Sequence, residues 1–97
     1  ASDVYKRQEL MIRKASWLID NGQPCGAEAN MAKWLAADAA FFAADRAVQT
    51  HGGFGYATEY HVERYWREAR LMKIAPISQE MVQNFVSEHV LELPKSY

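Results

Sequence analysis

The stretch of residues 27–49 constrains the fold of this chain more than any other part of the sequence. It is rich in alanine, which has the highest intrinsic helix propensity, and it contains neither glycine nor proline. On a helical wheel the polar side chains fall in one narrow arc and large apolar side chains cover the rest. The polar set is Glu28, Asp38, Asp45, Arg46 and Gln49, and the apolar set is Met31, Trp34, Leu35, Phe41, Phe42 and Val48. A helix that is apolar over most of its circumference must be buried, so we expect a long central helix with other helices packed against it.

Three further helical patterns flank this segment. They are residues 9–20, residues 58–73, and a last helix that starts at about 76–78 and stops before Pro94, with Ile77, Met81, Phe85, Val86 and Val90 on one side. Thr58 is the predicted N-cap of the third helix in the chain. No segment reads convincingly as a strand, because none has a clear period-two alternation of apolar and polar residues. The sequence therefore predicts an all-α protein, an antiparallel helical bundle of three substantial helices and a shorter one.

Composition excludes several classes of function. The chain of 97 residues has a formal net charge of −1 and a pI near 6.3, so it offers no basic field for nucleic acid or an anionic membrane. Its single cysteine, Cys25, excludes an internal disulfide framework, and no Cys/His cluster has the spacing of a metal site. No apolar run approaches the roughly twenty residues that span a bilayer. We expect a reducing, intracellular compartment and no metal, nucleic-acid or membrane partner.

A glycine-rich loop follows the central helix, where Gly52, Gly53 and Gly55 interrupt helix-forming sequence shortly before another helix. Glycine permits positive φ and lets main-chain N–H groups converge on an anion, and the N-terminus of a following helix favours negative charge. These properties indicate a phosphate ligand. The same glycines can also simply cap the first helix and turn the chain. The dinucleotide-binding fingerprint and the P-loop both require a preceding strand, so neither motif fits.

A second junction, residues 74–80, leads into the last helix. Its free N–H groups and the Ser78 hydroxyl form another candidate site for an oxygen ligand, although N-capping alone explains a serine here. Among the histidines, His51 lies in the glycine loop and is the one expected to contact a ligand. His61 and His89 are expected at the surface or at the edge of the core.

The other aromatic and acidic residues favour structural roles. Trp17, Trp34 and Trp66 occupy apolar helical positions and are expected to anchor the core. Asp38 and Asp45 are expected to face solvent or another subunit, because nothing in the sequence brings them into a shared cleft.

The first eight residues read Ala-Ser-Asp-Val-Tyr-Lys-Arg-Gln and resemble the in-frame translation of a transposase sequencing adapter. We therefore expect a non-native leader in residues 1–8. The natural sequence is then expected to begin near Glu9, with residues 9–97 forming the C-terminal end of a larger protein.

Three motifs occur in a characteristic order and spacing. They are Gln49-Thr50-His51-Gly52-Gly53, then Gly55-Tyr56-Ala57-Thr58-Glu59-Tyr60, and then Arg67-Glu68-Ala69-Arg70. The first is similar to a Q-x-x-G-G loop, and together they resemble the C-terminal helical domain of the flavin-dependent acyl-CoA dehydrogenases. The resemblance covers about residues 13–90. It implies that residues 9–97 form an incomplete C-terminal domain of that fold.

The resemblance also implies a cofactor site. Gln49, Thr50, His51, Gly52 and Gly53 are expected to lie against the adenosine diphosphate part of FAD, usually the FAD held by a neighbouring subunit. The residues that match the family's T-S-E/Q motif are Ser78, Gln79 and Glu80, which are expected to touch the phosphate or ribose region of the flavin. Ile77 stands where the family commonly has a glycine beside the substrate thioester, so its larger side chain is expected to narrow or reshape the acyl site.

Pro76 is the main departure from the family. It aligns with the glutamate that removes the α-proton of the acyl thioester in many members, and proline cannot act as a base. Some branches carry the base on an earlier helix, which here would lie upstream of Glu9. The sequence therefore identifies no catalytic residue.

The activity that the resemblance implies is the FAD-dependent α,β-dehydrogenation of an acyl-CoA thioester to a 2-enoyl-CoA. It further implies a homo-oligomer, dimer or tetramer, that shares FAD between subunits, with an electron-transfer flavoprotein as a candidate partner. The fragment alone is expected to be inactive. Two alternatives stay open: a catalytically silent relative or an oxidase, indicated by Pro76, and a non-enzymatic module that assembles through its long apolar helix.

Overall fold

A computed structural model describes residues 2–95 as four α-helices. The helices are α1 (Ser2–Asp20), α2 (Gly26–His51), α3 (Val62–Leu71) and α4 (Gln79–His89), with short 3-10 helices at Gly52–Tyr56 and Thr58–Tyr60. Within this range the chain contains no β-strand, which confirms the predicted all-α class. None of the helices in residues 2–95 combines the length and apolar character needed to cross a membrane.

Helix α2 is the centre of the fold, as its sequence predicts. It contacts α1, α3, α4 and the first 3-10 helix. The buried core is built mostly from small side chains on the three helices α2, α3 and α4: Ala32, Ala37, Ala39, Ala44, Val62, Ala69 and Val82. Alanine in the contact faces lets helix backbones approach closely, so a small core holds α2, α3 and α4 together, whereas α1 contributes no buried residue to it.

Two helix starts differ from the sequence prediction. Helix α1 begins at Ser2 rather than near Glu9, since no glycine or proline interrupts the residues before Glu9. Helix α3 begins at Val62, and Thr58 instead begins a 3-10 helix. The residue that caps α3 is His61, which adopts a left-handed conformation with φ of 64° and is exposed. This uncommon conformation changes the direction of the chain between the 3-10 helix Thr58–Tyr60 and α3, and helix propensities do not predict it.

The inward face of α4 also differs from the predicted one. The predicted stripe includes Met81, but its side chain is 54% exposed, whereas Val82 is only 1% exposed. The helix is rotated because the first-turn residue Gln79 points into the molecule and bonds to α2, which brings Val82 inward three residues later.

The three tryptophans divide between the core and the surface. Trp34 and Trp66 are half-buried, and the Trp66 ring lies 5.6 Å from that of Phe41. Trp17 is 60% exposed, so the prediction that it anchors the core is wrong within residues 2–95. It shares α1 with other exposed apolar side chains, including Leu10 and Ile19, because only one face of α1 contacts α2.

Ser78 caps α4 as predicted, with its Oγ accepting a hydrogen bond from the Met81 N–H at 3.3 Å. We expect Ser78→Ala to destabilise the first turn of α4 by about 1 kcal/mol, because the cap satisfies one of the free N–H groups there. Amide hydrogen exchange in that turn of the full-length protein measures this effect. The matched control is Ser87→Ala, since the Ser87 hydroxyl only donates to the Gln83 carbonyl within the same helix. Equal exchange in both variants would contradict the capping role.

Candidate functional site

The glycine loop begins where α2 ends. Gly52 has φ of 62° and ψ of −138°, a backbone conformation that residues with a Cβ rarely adopt. Its N–H donates to the Gln49 carbonyl oxygen and closes the end of the helix. The sequence alternative of a helix-capping glycine therefore holds for Gly52.

The other two glycines of the loop have different roles. Gly55 is buried, and a Cβ built on it would overlap the carbonyl oxygen of Val48 and lie 3.1 Å from the Val48 Cα. Gly55 is thus required for the 3-10 helix to pack against α2. Gly53 is exposed, and apart from its adjacent residues and its own helix backbone, no atom of residues 2–95 lies within 4 Å of an added Cβ. The fold itself therefore does not require glycine at position 53, and the space beside it is open to a ligand.

Some polar side chains of the loop already form hydrogen bonds within the chain. The Thr50 hydroxyl donates to the Arg46 carbonyl at 2.7 Å, and His51 Nδ1 lies 2.9 Å from the Ala47 carbonyl. Because a carbonyl oxygen only accepts, Nδ1 carries a proton and Nε2 remains available. The Gln49 side-chain amide is exposed and has no hydrogen-bond partner within residues 2–95. The available groups are therefore side-chain atoms of Gln49 and His51.

This geometry corrects the predicted anion cradle. The Gly52 N–H is already bonded to Gln49, and the next α-helix begins only at Val62, so no α-helix N-terminus follows the loop directly. The loop lies instead at the C-terminal end of α2, where the helix dipole does not favour an anion. The Arg46 guanidinium lies over the Phe42 ring, 5.2 Å from its centroid, so this cation is directed back along α2 and not towards Gly53.

A second site lies where α4 begins. A cleft of about 530 Å³ opens there between α2, α3 and α4, and its lining includes Trp34, Asp38, Arg70, Lys73, Gln79 and Glu80. The Asp38 side chain is 44% solvent-exposed, in line with its predicted solvated position, and it also bonds within the chain. One of its carboxylate oxygens, Oδ1, accepts from Lys73 Nζ at 2.9 Å and from Gln79 Nε2 at 3.0 Å. Asp45 likewise has a partner in the chain, since its Oδ1 accepts from Trp66 Nε1 at 3.0 Å.

The residues of the T-S-E/Q-like segment point in different directions. Ser78 is half-buried and caps α4, and Glu80 is exposed in the first turn. Gln79 is 7% exposed, and its Oε1 is buried without a hydrogen-bond partner within the described residues. Its side chain therefore serves a contact inside the chain, and only Ser78 and Glu80 have polar groups towards the outside.

The turn before α4 carries Pro76 and Ile77 at the surface. Ile77 is 51% exposed, and its carbonyl oxygen accepts from Lys33 Nζ at 2.6 Å. The Ala75–Pro76 peptide bond is cis. Residues 74–78 contain no carboxylate, so this turn provides no base.

The structure does not bring the two predicted segments together. The α4 junction contacts α2 at Asp38, whereas the glycine loop begins at Gln49, eleven residues further along the same helix. At about 1.5 Å per residue this separates them by about 16 Å along the axis. Residues 2–95 also contain no group of three or more His, Cys, Asp or Glu that could hold a metal ion.

The hydrogen bonds that join Asp38 to Lys73 and Gln79 were not predicted from the sequence. The partners Lys73 and Gln79 lie more than thirty residues away in the sequence, and helical periodicity gives no information about contacts at that range. The only available signal was that Asp38 interrupts an otherwise alanine-rich, apolar part of α2.

Comparison with known proteins links this geometry to one family. Residues 5–91 match the family model described as "Acyl-CoA dehydrogenase, C-terminal domain". The chain is 52% identical over 91 residues to acyl-CoA dehydrogenase FadE12 of Mycobacterium tuberculosis. The aligned region covers 92% of this chain and 24% of that protein. It is 40% identical over 89 residues to (2S)-methylsuccinyl-CoA dehydrogenase of Cereibacter sphaeroides, with coverage of 87% and 16%.

The fold has a close counterpart among solved structures. A chain from a structure described as an electron transferring flavoprotein of Acidaminococcus fermentans superposes with a TM-score of 0.87 and 29% sequence identity, covering 95% of this chain and 24% of that one. The chain thus spans about a quarter of the length of FadE12 and of this structural counterpart.

Proposed function

The chain belongs to the acyl-CoA dehydrogenase family, and we propose that it is the C-terminal helical domain of an FAD-dependent enzyme that oxidises an acyl-CoA thioester to a 2-enoyl-CoA. The match of residues 5–91 to the C-terminal domain of this family carries the proposal. Since the chain spans 24% of the FadE12 relative, the remainder of the site belongs to the preceding part of the enzyme.

The glycine loop fits one part of FAD, its diphosphate. The supporting features are the open space at Gly53 and the Gln49 side-chain amide, which has no partner within residues 2–95. An amide NH₂ group can donate to a phosphate oxygen, and glycine lets the backbone come close. Thr50 and Gly52 hold the loop in shape through their bonds to Arg46 and Gln49.

The resemblance implies that the loop meets the FAD of a neighbouring subunit and that the α4 junction meets the subunit's own FAD. The separation of about 16 Å along α2 is compatible with this arrangement. In this proposal the enzyme is a homo-oligomer, and each α2 spans the region between two cofactors. Ser78 and Glu80 are the residues of the α4 junction with polar groups available for the flavin side.

FAD supplies the acceptor for the hydride that leaves the β-carbon of the substrate. The chain's own residues orient the reactants: the turn 74–78 presents Ile77 beside the thioester, and its bulk restricts the acyl groups that fit. A carboxylate from the preceding part of the enzyme must take the α-proton, because Pro76 occupies the position of the usual base. An electron-transferring flavoprotein is the proposed electron acceptor.

The direct experiment is to purify the full-length protein and record its visible spectrum. We expect a flavin absorbance band that bleaches when a suitable acyl-CoA is added without oxygen, because the substrate then reduces the bound cofactor. The control is the same protein incubated with free CoA, which has no acyl group to oxidise and should leave the flavin band unchanged. A colourless protein that responds to no acyl-CoA would overturn the proposal.

A second candidate is a catalytically silent relative, favoured by the proline at position 76. It predicts a yellow protein with a flavin band that no acyl-CoA bleaches. An aspartate or glutamate on the upstream helix that faces the substrate would argue against silence.

A further inference from the structure

We propose that Lys33 and Asp38 are positioning residues that fix the turn 74–78 against α2, and thereby set how Ile77 meets the acyl thioester. This inference rests on the proposed function for the identity of the substrate. Neither residue is assigned to FAD or substrate, and both act through the turn. Together they are the polar side chains of α2 that bond to the turn or to the residues flanking it, within residues 2–95.

Asp38 holds the two ends of the turn. Lys73 precedes the turn and Gln79 follows it, and both donate to the same carboxylate oxygen, at 2.9 Å and 3.0 Å. The Gln79 main-chain N–H donates in addition to the Lys73 carbonyl at 3.0 Å. These bonds form a closed ring of Asp38, Lys73 and Gln79, so the turn cannot shift along α2 without breaking at least one of them.

Lys33 holds the middle of the turn. Its ammonium group donates to the Ile77 carbonyl at 2.6 Å, and the Lys33 side chain is half-buried beside Pro76. A bond from an ionised donor is stronger than one between neutral groups. Because the acceptor is the main-chain carbonyl of Ile77, this hydrogen bond sets the distance between Ile77 and α2.

The position of Gln79 indicates that geometry is what the network maintains. Within the described residues its Oε1 is buried without a partner, and Asp38 prevents the amide from turning round, because that would place oxygen against a carboxylate. An apolar side chain of similar size would fill the same space without an unpaired acceptor. What the amide adds is the bond that ties the start of α4 to α2.

The test uses the full-length enzyme and the variants Lys33→Met and Asp38→Asn. Lys33→Met keeps the length of the side chain and removes the bond to Ile77. Asp38→Asn keeps the shape and removes the charge that pairs with Lys73. The matched control is Glu28→Gln, which removes a carboxylate from the same helix where it faces Lys14 of α1 at 3.8 Å.

Three readouts separate positioning from a general loss of structure. We expect amide exchange in residues 74–80 to become about tenfold faster in both variants, and exchange elsewhere in α2 to stay unchanged. We expect kcat to fall about tenfold to a hundredfold, since a displacement of about 1 Å from a remote mutation has an effect of this size. The ratio of activities on short and long acyl-CoAs should shift, and Lys33→Arg should restore most of the activity.

The outcomes are decisive in both directions. Variants that match wild type and Glu28→Gln in exchange of the turn and in acyl-chain preference would overturn the inference, as would a loss of activity that is equal for all substrates and follows loss of folded protein. If Asp38→Asn does not fold, Lys33→Met carries the test. If the wild-type protein holds no flavin, the proposed function fails separately, and exchange of residues 74–80 alone decides the positioning role.

Discussion

Replacing Gly53 by leucine in the full-length enzyme is expected to weaken FAD binding by about tenfold or more, a loss of about 1.4 kcal/mol, without unfolding the protein. The reason is local geometry. Leaving aside the adjacent backbone, nothing in the described part of the chain lies within 4 Å of an added Cβ at this position. The backbone of Gly53 is not left-handed either, so the fold accepts a side chain. A leucine would instead occupy the open space in which the diphosphate is proposed to lie. Titration of the apoprotein with FAD measures the effect.

One further variant in the loop, Gly53→Ala, serves as a control. Gly53→Ala adds a single methyl group and should weaken FAD binding less than leucine does. Gly52→Ala is not a clean test, because φ of 62° at this residue makes any side chain cost about 1–2 kcal/mol through backbone strain. Full retention of FAD by Gly53→Leu, with unchanged thermal stability, would mean that no ligand approaches the loop.

Gly55→Ala is expected to have the largest effect on folding, a loss of about 3 kcal/mol or more in the free energy of unfolding. Its Cβ would overlap the Val48 carbonyl, and the atoms that it meets are backbone atoms, which cannot rotate away. The 3-10 helix must therefore move off α2, which also exposes the neighbouring contacts. Thermal unfolding of the full-length protein, together with the yield of folded protein, reports this loss.

The control for Gly55→Ala is Gly53→Ala, the same change two residues earlier. It should alter the free energy of unfolding by no more than about 0.5 kcal/mol, as for an ordinary surface substitution. Equal unfolding temperatures of the two alanine variants would mean that the 3-10 helix Gly52–Tyr56 does not pack against the Val48 backbone through Gly55.

The main features of the fold were predictable because they depend on local sequence. The absence of glycine and proline in residues 27–49, together with many alanines, predicts a helix that the structure places at Gly26–His51. Ser78 followed by an acidic first turn predicts the start of α4 correctly. In both cases the deciding interactions lie within a few residues of each other.

The features that were not predicted depend on contacts between distant parts of the chain. The inward turn of Gln79 is fixed by Asp38, 41 residues away, and it rotates α4 so that Val82 is buried. The start of α3 depends on the left-handed backbone of His61, which is uncommon for any residue with a Cβ and is not marked by helical periodicity.

The glycine loop shows the same limit for function. Its composition suggested free main-chain amides and a following helix N-terminus, but the Gly52 N–H is bonded to Gln49 and α3 begins ten residues later. Glycines mark where a backbone is unusual, and they do not distinguish capping, close packing and ligand access. Gly52 caps α2 and Gly55 permits close packing, whereas ligand access at Gly53 is still a prediction.

The central claim is that the loop at Gln49–Gly53 lies against the diphosphate of an FAD held by a neighbouring subunit. The most direct measurement is a structure of the full-length protein with its cofactor bound. The account predicts that the Gln49 side chain and the Gly53 backbone contact phosphate oxygens across a subunit boundary. A loop that contacts only its own chain, with the nearest FAD phosphate beyond the reach of any of its side chains, would contradict it.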